Sequence, residues 1–279
     1  MRLKLLTLAL ALTALPLSGH SEDLLDAYRE ARANDPVLAQ SDATRLSTGE
    51  GVTQARALLL PQLNAGLTFN QYSGNNSQDI AGGHSRARTE SATLSQSVLD
   101  LSKWAGLKTA RSQSDAQDQL YQAALQNLYV RVTQAYFGVL TAQDSLTFNK
   151  ANEEAYRQSY EQADQRFKVG LAAITDVYQA KSYYELAKAQ TIAAENTLND
   201  SKEALRQITG QPVGELKKLR DDLPMDAPSP ADPNTWVDEA LKHNPNVLSQ
   251  QYTVEAAEHN ISAARAGHLP TINATVTRG

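Results

Sequence analysis

The feature that most constrains this chain is a long stretch with almost no helix-breaking residues. No proline occurs between Pro61 and Pro212, and glycine is rare between residues 102 and 210. Proline removes a backbone donor from a helix, and an interior glycine costs about 1 kcal/mol relative to alanine. Their scarcity predicts helices much longer than the roughly three turns that are usual in a globular domain.

Apolar residues recur through this stretch with a seven-residue period, which is the pattern of a coiled coil. We expect one helix from Lys103 to Val169, a turn at Gly170, and a return helix from about Ile174 to Thr209. At about 1.5 Å per residue, the first helix would be about 100 Å long. The seam residues are Tyr121, Leu125, Leu128, Val132, Ala135, Val139, Ala142 and Leu146 in the first helix, and Val177, Ala180, Tyr184, Ala187, Thr191, Ala194, Leu198, Ser201, Leu205 and Ile208 in the second.

Ahead of the long helix, the pattern changes to the two-residue period of a β-strand. Two shorter helices, over residues 22–33 and 36–60, come first. Residues 61–72 then alternate apolar with polar side chains, residues 73–88 have the composition of a loop, and residues 89–101 alternate more weakly. We expect the two strands to form a β-hairpin with one apolar face. The candidate lipid-facing residues are Leu63, Ala65, Leu67, Phe69, Ala92, Leu94 and Val98.

The end of the chain repeats its beginning with an offset of 209 residues and no gap. Pro36 then aligns with Pro245, and Pro61 with Pro270. A shared arrangement of helix and strand is the physical explanation for such a match. The predicted organisation is a first structural repeat (22–210, with a β-hairpin at 61–101 and a helical hairpin at 103–209), a linker (211–235) and the start of a second, truncated repeat (236–279). We therefore expect the chain to be part of a longer protein.

Residues 1–21 have the parts of a signal peptide, with Arg2 and Lys4 ahead of an apolar core and small residues near the cleavage site. An exported protein is therefore expected. The chain has no cysteine, so its stability must come from packing rather than disulfides. The net charge is -5 at pH 7 and there is no basic stripe, so nucleic acid is not an expected partner. No later segment has the run of about 18 apolar residues that a transmembrane helix needs.

One hairpin in each of two repeats would give four strands to a protomer. A membrane barrel needs a closed sheet of about eight or more strands, because lipid satisfies no hydrogen bonds at a sheet edge. Four strands cannot close alone, whereas three copies would supply twelve. The same trimer would surround one axis with long helices. The pattern therefore predicts a conduit with one end in an outer membrane and the other in the periplasm.

Several motifs resemble those of the TolC family of outer-membrane channels. The most specific is Arg166-Phe167-Lys168-Val169-Gly170-Leu171-Ala172-Ala173-Ile174-Thr175-Asp176-Val177, which is similar to the tip of that family's helical hairpin. Residues 58–63, 100–104 and 268–271 resemble the connections between its barrel and its helices. The resemblance extends over the whole mature chain, in order.

The resemblance implies a mainly α fold of long antiparallel coiled-coil helices with transmembrane β-barrel strands. In that family a homotrimer forms a 12-stranded barrel and a 12-helix tunnel, in the outer membrane and extending into the periplasm. The implied function is a passive conduit for drug efflux or type I protein secretion, with a periplasmic adaptor protein, an inner-membrane transporter and outer-membrane lipid as partners. Members of the family do no chemistry, so no catalytic residue, metal or cofactor is expected.

At the tip, the resemblance implies that Gly170, Thr175 and Asp176 belong to a gate at the periplasmic entrance. Thr175 and Asp176 also follow a turn and begin a helix, where either could be a cap. Capping alone and a gate role are both open alternatives from the sequence. The residues expected to contact an adaptor protein are Val169, Leu171 and Ile174.

The main alternative is a periplasmic adaptor protein, which is also exported and built on a helical hairpin. Its β parts would be soluble sandwiches or barrels, whereas here the hairpin joins helices directly. An enzyme would need an acid/base or metal set. Glu255, Glu258 and His259 have spacings that a metal cluster would use, but the first repeat has no matching set, so metal binding is not expected.

Overall fold

The computed structural model describes residues 22–73, 84–219 and 227–279. The predicted signal peptide, most of the predicted loop and part of the predicted linker lie outside the described residues. None of the helices in the described ranges is long and apolar enough to cross a membrane. The elements are α1 (Leu24–Asn34), α2 (Pro36–Ala57), β1 (Gln62–Ser73), β2 (His84–Leu99), α3 (Leu101–Lys168), α4 (Ile174–Thr209), α5 (Pro233–His243), α6 (Pro245–Ala266) and β3 (Ile272–Arg278).

Internal contacts divide the chain into two compact units that do not follow the predicted repeats. Among the described residues, the first unit comprises 22–39, 125–219 and residue 227. The second comprises 40–73, 84–124 and 228–279. Both α2 and α3 therefore contribute residues to each unit.

In the first unit, the predicted coiled-coil seam of α3 and α4 is confirmed. Leu128, Val132 and Leu205 are no more than 1% exposed, and every seam residue in this unit is buried or half-buried. The Thr191 hydroxyl of α4 also donates a hydrogen bond to the Asn149 carbonyl of α3 at 3.3 Å. Apolar burial along the seam, rather than intrinsic propensity, is what stabilises helices of this length.

The start of the first unit pairs with the chain that follows α4. Glu22 and Leu216 form a parallel β-bridge. The Glu22 N–H donates to the Glu215 carbonyl at 2.9 Å, and the Lys217 N–H donates to the Glu22 carbonyl at 3.0 Å. The Tyr136 hydroxyl of α3 lies 3.1 Å from the Glu22 carbonyl and 2.8 Å from that of Lys217. One buried tyrosine thus connects α3 to both strands of the bridge.

Asp35 connects α1, α2 and α3 within the first unit. One carboxylate oxygen accepts a hydrogen bond from the Leu38 N–H at 2.8 Å, which caps α2. The two oxygens also accept from the Arg131 guanidinium, at 3.0 and 2.5 Å. Burial raises the pKa of Asp35, but the hydrogen bonds from Arg131 and the backbone outweigh it and hold that pKa below its ordinary value. The Asp35 side chain is 1% exposed, so its charge depends on these partners.

In the second unit, β1, β2 and β3 form one antiparallel sheet in that order. β1 pairs with β2 from Gln62 opposite Ser95 to Ser73 opposite His84. β3 pairs with the other edge of β2. The predicted hairpin and the strand from the end of the chain therefore belong to the same sheet.

The offset of 209 residues also relates the helices at the two ends of the chain. α1 and α5 each have 11 residues, and α2 and α6 each have 22. Asp35 and Asn244 hold equivalent positions, and each side chain accepts a hydrogen bond from a backbone N–H in the first turn of the following helix. Proline follows both residues and begins that helix. Only Asp35 carries the charge that pairs with an arginine.

The bounds of α4 are those that the sequence predicts, and other bounds differ by a few residues. β2 begins at His84, so residues 84–88 lie in a strand rather than a loop, because backbone pairing with β1 continues beyond the side-chain alternation. α3 begins at Leu101, two residues early, because the Asp100 carboxylate caps it. The linker ends before Pro233, since α5 begins there behind an aspartate N-cap.

We expect Asp35→Ala to destabilise the first unit, because it removes a cap and leaves the Arg131 charge without its partner. Loss of an N-cap costs about 0.5–2 kcal/mol, and loss of one partner of a buried pair costs about 3–5 kcal/mol. The Arg131 side chain is 32% exposed, so water recovers part of the second cost. We expect a total loss of about 2–3 kcal/mol in the free energy of unfolding at pH 7, measured by chemical denaturation and circular dichroism.

Asp26→Ala is the matched control, because Asp26 forms an exposed ion pair with Arg29 and its loss should cost less than about 0.5 kcal/mol. The stabilisation by Asp35 has a defined pH dependence. Its pKa is depressed in the folded state, so the stabilisation is present above the unfolded pKa and is lost as pH falls through the lower folded pKa. The difference between the parent and Asp35→Asn should therefore shrink below about pH 4. Equal free energies of unfolding for the parent and Asp35→Ala at pH 7 would contradict this role of Asp35.

Candidate functional site

The turn between α3 and α4, in the first unit, depends on Gly170. Its φ is 77°, in the left-handed region where a side chain is strained. The Gly170 N–H donates to the Phe167 carbonyl at 2.9 Å, and the Leu171 N–H donates to the Arg166 carbonyl at 2.8 Å. Together these bonds form a Schellman motif, which ends α3. The predicted turn at Gly170 is confirmed.

Asp176 caps α4. Its carboxylate accepts a hydrogen bond from the Ala173 N–H at 3.3 Å, and the Asp176 N–H donates to the Ala173 carbonyl at 3.1 Å. Alanine has no side-chain acceptor, so only one half of a capping box forms. Thr175 is exposed, and its hydroxyl makes no hydrogen bond within the described part of the chain. The cap contact is present, and the gate role of Thr175 and Asp176 stays a prediction.

Exposed apolar side chains surround the turn and form a surface that we call the apolar tip. Val169 and Leu171 are 69% and 74% exposed, and Ile174 is also exposed. Phe167 and Tyr178, which the sequence analysis did not single out, are exposed on the same hairpin end. Clustered large apolar groups in contact with water are a common mark of a protein-binding surface. Adaptor contact at Val169, Leu171 and Ile174 stays a prediction.

Two stacked tyrosine pairs join α3 to α4 near the tip. The ring centres are 5.9 Å apart in Tyr156–Tyr183 and 6.2 Å apart in Tyr160–Tyr184. Each such pair contributes about 0.5–1.5 kcal/mol beyond the burial of its area. An open groove of about 310 Å³ lies along the first pair, and Asp176 is among its lining residues. The heptad pattern placed only Tyr184 in the seam, because the other three rings lie beside it.

An exposed charged surface on α3 lies close to these rings. The Arg157 guanidinium donates to Glu154 at 2.6 and 2.8 Å and to Glu161 at 2.5 Å. Hydrogen bonds from Arg157, and then from Gln158, lower the pKa of Glu154 to about 2. This surface therefore stays charged at physiological pH, in contrast to the apolar tip.

The sheet in the second unit has one apolar face and one uncharged polar face. Paired residues share a face, so the register places Leu94 between Leu63 and Val276 on the apolar face. Leu67, Phe69, Ala65 and Ala92 lie on this same face. The polar face comprises Gln62, Asn64, Gly66, Thr68 and Asn70 in β1, Ala87, Thr89, Ser91, Thr93, Ser95 and Ser97 in β2, and Asn273, Thr275 and Thr277 in β3.

Charged residues interrupt the apolar face towards the loop end of the hairpin. Arg88 lies opposite Phe69 and Glu90 lies opposite Leu67. Arg88 and Glu90 form an ion pair, and the Arg88 guanidinium lies 5.8 Å from the centre of the Phe69 ring. Arg278 shares this face through its pairing with β2. Arg88 could not be predicted as a strand residue, because residues 73–88 have the composition of a loop.

The alternation that assigned Val98 to the apolar face ends at a β-bulge. The register between β2 and β3 shifts between Ser97, opposite Asn273, and Leu99, opposite Ile272. One extra β2 residue at this point changes the phase of the strand. Leu99, rather than Val98, is therefore the residue in register with the apolar positions of β3. A bulge depends on pairing between distant segments, so no local pattern predicts it.

Comparison with known proteins gives a family and several relatives. The family model described as outer membrane efflux protein matches residues 27–211. Outer membrane protein TolC of Escherichia coli (strain K12) is 38% identical over 274 residues, which cover 96% of this chain and 55% of that protein. Alkaline protease secretion protein AprF of Pseudomonas aeruginosa is 26% identical over 268 residues, which cover 92% of this chain and 55% of that protein. The chain spans about half the length of these relatives.

The fold is similar to the crystal structure of the Campylobacter jejuni CmeC outer membrane channel. The TM-score is 0.75 at 18% sequence identity, over 92% of this chain and 56% of that one. The predicted fold class, long antiparallel helices with β-strands, is confirmed. Within the described ranges, the strands form a single three-stranded sheet whose edges do not meet.

If the apolar face contacts lipid, an arginine should be tolerated on one side of β2 and not on the other. Leu94→Arg would replace a residue with apolar neighbours on both strands, whereas Thr93→Arg would fall on the polar face. A lipid-facing arginine costs about 2–4 kcal/mol at mid-membrane, so Leu94→Arg should assemble poorly and Thr93→Arg nearly normally. Leu67→Arg is less informative, because the opposite residue is Glu90. Equal yields of folded protein in outer membranes for the two variants would refute the assignment.

Proposed function

Since this chain belongs to the outer membrane efflux protein family, we propose that it forms part of a passive channel across the outer membrane. The proposed use is drug efflux or type I protein secretion. The sheet would lie in the membrane, and the long helices would extend into the periplasm. The observation that carries the proposal is the sheet itself, in which strands from both ends of the chain present one apolar and one uncharged polar face.

The two faces suit a barrel wall. An apolar exterior contacts lipid tails, and a polar interior lines water, in an alternation of period two. Within the described strands, the outer edges of β1 and β3 have no partner. Because lipid cannot satisfy these backbone groups, further strands must close the sheet. Three protomers of four strands each would give the twelve-stranded barrel that the sequence analysis predicts.

We infer a homotrimer that works with a periplasmic adaptor protein and an inner-membrane transporter. The apolar tip supports the adaptor protein as a partner, since its large apolar side chains are exposed at the turn. Protein secretion is supported by the relative that is named for alkaline protease secretion, at 26% identity. Efflux is supported by the description of the matching family.

A periplasmic adaptor protein, the alternative from the sequence, has no support in these observations. Its β parts would form separate soluble domains, whereas β1, β2 and β3 here combine both ends of the chain in one sheet that joins helices directly. We assign no catalytic step, because the relatives are named as an outer membrane protein, a protease secretion protein and an outer membrane channel.

The full-length protein should be a trimer in mild detergent and should give single-channel currents in planar bilayers. The trimer would be detected by native mass spectrometry. The 279-residue chain alone should give no currents, because its sheet edges cannot close. The proposal would be overturned if the full-length protein were found solely as a monomer, or if its trimer gave no currents.

The gate hypothesis predicts that Asp176→Ala in the full-length protein raises the conductance with little loss of trimer. If a few polar links hold the entrance closed, the closed and open states differ in free energy by only a few kcal/mol. The loss of one link then shifts the equilibrium towards the open state. Capping alone predicts instead a stability loss of about 0.5–2 kcal/mol at parental conductance.

Asp200→Ala is the control for this experiment, because Asp200 is exposed on the same helix and its side chain makes no hydrogen bond within the described residues. The variant Asp176→Asn keeps an acceptor for the Ala173 N–H, so the cap of α4 should survive in it. Conductance and thermal stability would be measured on the same preparations. Parental conductance of Asp176→Ala would leave only the cap.

A further inference from the structure

An open groove of about 580 Å³ lies in the second unit, between the start of α3 and the end of α6. We call it the shoulder groove. Its lining includes Leu101, Trp104 and Lys108 from α3, and Arg265 and Leu269 from α6 and the turn that follows. In α3 the spacing of three and four residues places these side chains on one side of the helix. Side chains from both helices thus line one concave surface that is open to solvent.

The shoulder groove lies next to the strand ends in the chain. Leu101 follows β2, which ends at Leu99, and Leu269 precedes β3, which begins at Ile272. Leu99 and Ile272 are themselves paired and belong to the apolar face. The groove therefore begins where the apolar face of the sheet ends and the helices start.

The apolar part of the groove is large and exposed. Trp104 is 53% exposed, and Leu101 and Leu269 are each about half exposed. Tryptophan is enriched at membrane–water interfaces, where its ring contacts acyl chains and its N–H stays near polar groups. Three exposed apolar side chains beside the strand ends are better suited to lipid than to the water of a channel interior.

The polar part of the groove is basic. Lys108 and Arg265 are exposed, and neither forms an ion pair within the described residues. Asp100 and Glu255, two carboxylates on the segments that line the groove, have other partners. Asp100 caps α3 and lies 3.9 Å from Lys103, and Glu255 lies 3.5 Å from the imidazole of His259. The groove therefore offers two free cations beside an apolar floor, which matches the chemistry of a phospholipid with a net negative headgroup.

We propose that the shoulder groove binds an anionic phospholipid at the periplasmic surface of the outer membrane. Lys108 and Arg265 hold the phosphate, and Trp104, Leu101 and Leu269 contact the upper part of the acyl chains. Long basic side chains reach from an apolar surface to a headgroup in this way. The inference rests on the proposed function, because it requires the sheet to lie in the membrane.

The test uses the full-length trimer in mild detergent, titrated with phosphatidylglycerol and followed by native mass spectrometry. The parent should bind phosphatidylglycerol more tightly than zwitterionic phosphatidylcholine. The Lys108→Ala/Arg265→Ala variant should bind phosphatidylglycerol more weakly, by about five-fold for each basic residue removed. Lys181→Ala/Lys188→Ala is the matched control, since both lysines are exposed on α4 without an ion pair in the described chain, and it should bind as the parent does.

A second measurement reports whether the shoulder groove faces lipid or the interior of the proposed channel. The protein is reconstituted in vesicles that contain brominated phosphatidylglycerol, and the fluorescence of Trp104 is taken as the difference between the parent and Trp104→Phe. Bromine should quench this fluorescence if the groove faces lipid. No quenching, equal binding of the two lipids by the parent, or unchanged binding by the double variant would each overturn the lipid site.

These failures are distinguishable from failure of the proposed function. A full-length protein that is monomeric or does not insert into vesicles would refute the channel itself, and the lipid site with it. A conducting trimer whose double variant binds phosphatidylglycerol like the parent would refute only the lipid site. The variant Arg265→Lys, which keeps the charge, should retain most of the affinity, and its failure to do so would also count against an electrostatic headgroup contact.

Discussion

The outer edges of β1 and β3 each present a row of backbone N–H and C=O groups that have no partner within the described strands. In water these groups would be hydrated, but beside lipid each unpaired group costs several kcal/mol. In water the apolar face of the sheet would be exposed at a cost in free energy. In lipid the unpaired backbone groups at its edges would carry the cost. Only closure with further strands removes both costs. The proposed trimer follows from this requirement, because further protomers would supply the missing strands.

The helices meet a different requirement, since a helix of 68 residues has to bury a narrow apolar stripe along much of its length. The seam achieves this with residues such as Leu128 and Val132, and the buried Ala187, Thr191 and Ala194 on α4 are small enough to allow close packing. Isolated polar contacts then define the register between segments. Asp35 with Arg131 and Tyr136 with the terminal β-bridge are examples, and each joins parts of the chain that are far apart in sequence.

The features that the sequence predicted correctly depend on local patterns. Gly170 and Gly210 end helices at positive φ, so the bounds of the helical hairpin could be predicted almost to the residue. The seven-residue seam and the 209-residue offset are likewise periodic signals. What was missed depends on pairing between distant segments: the early start of β2, the bulge near Val98, the Arg131 partner of Asp35, and the tyrosine stacks beside the seam. The tip was recognised from a motif, yet that motif does not separate a cap from a gate, because Asp176 occupies a position that serves both.

The polar face of the sheet offers hydroxyl and amide groups but no formal charge along the strand positions that share it. A solute that touches such a wall exchanges one hydrogen bond for another of similar strength, as it does in water. It has no ion pair to break before it moves on, so its residence time at any point on the wall is short. In the proposed channel, friction at this part of the wall would therefore depend little on the sign of the solute's charge.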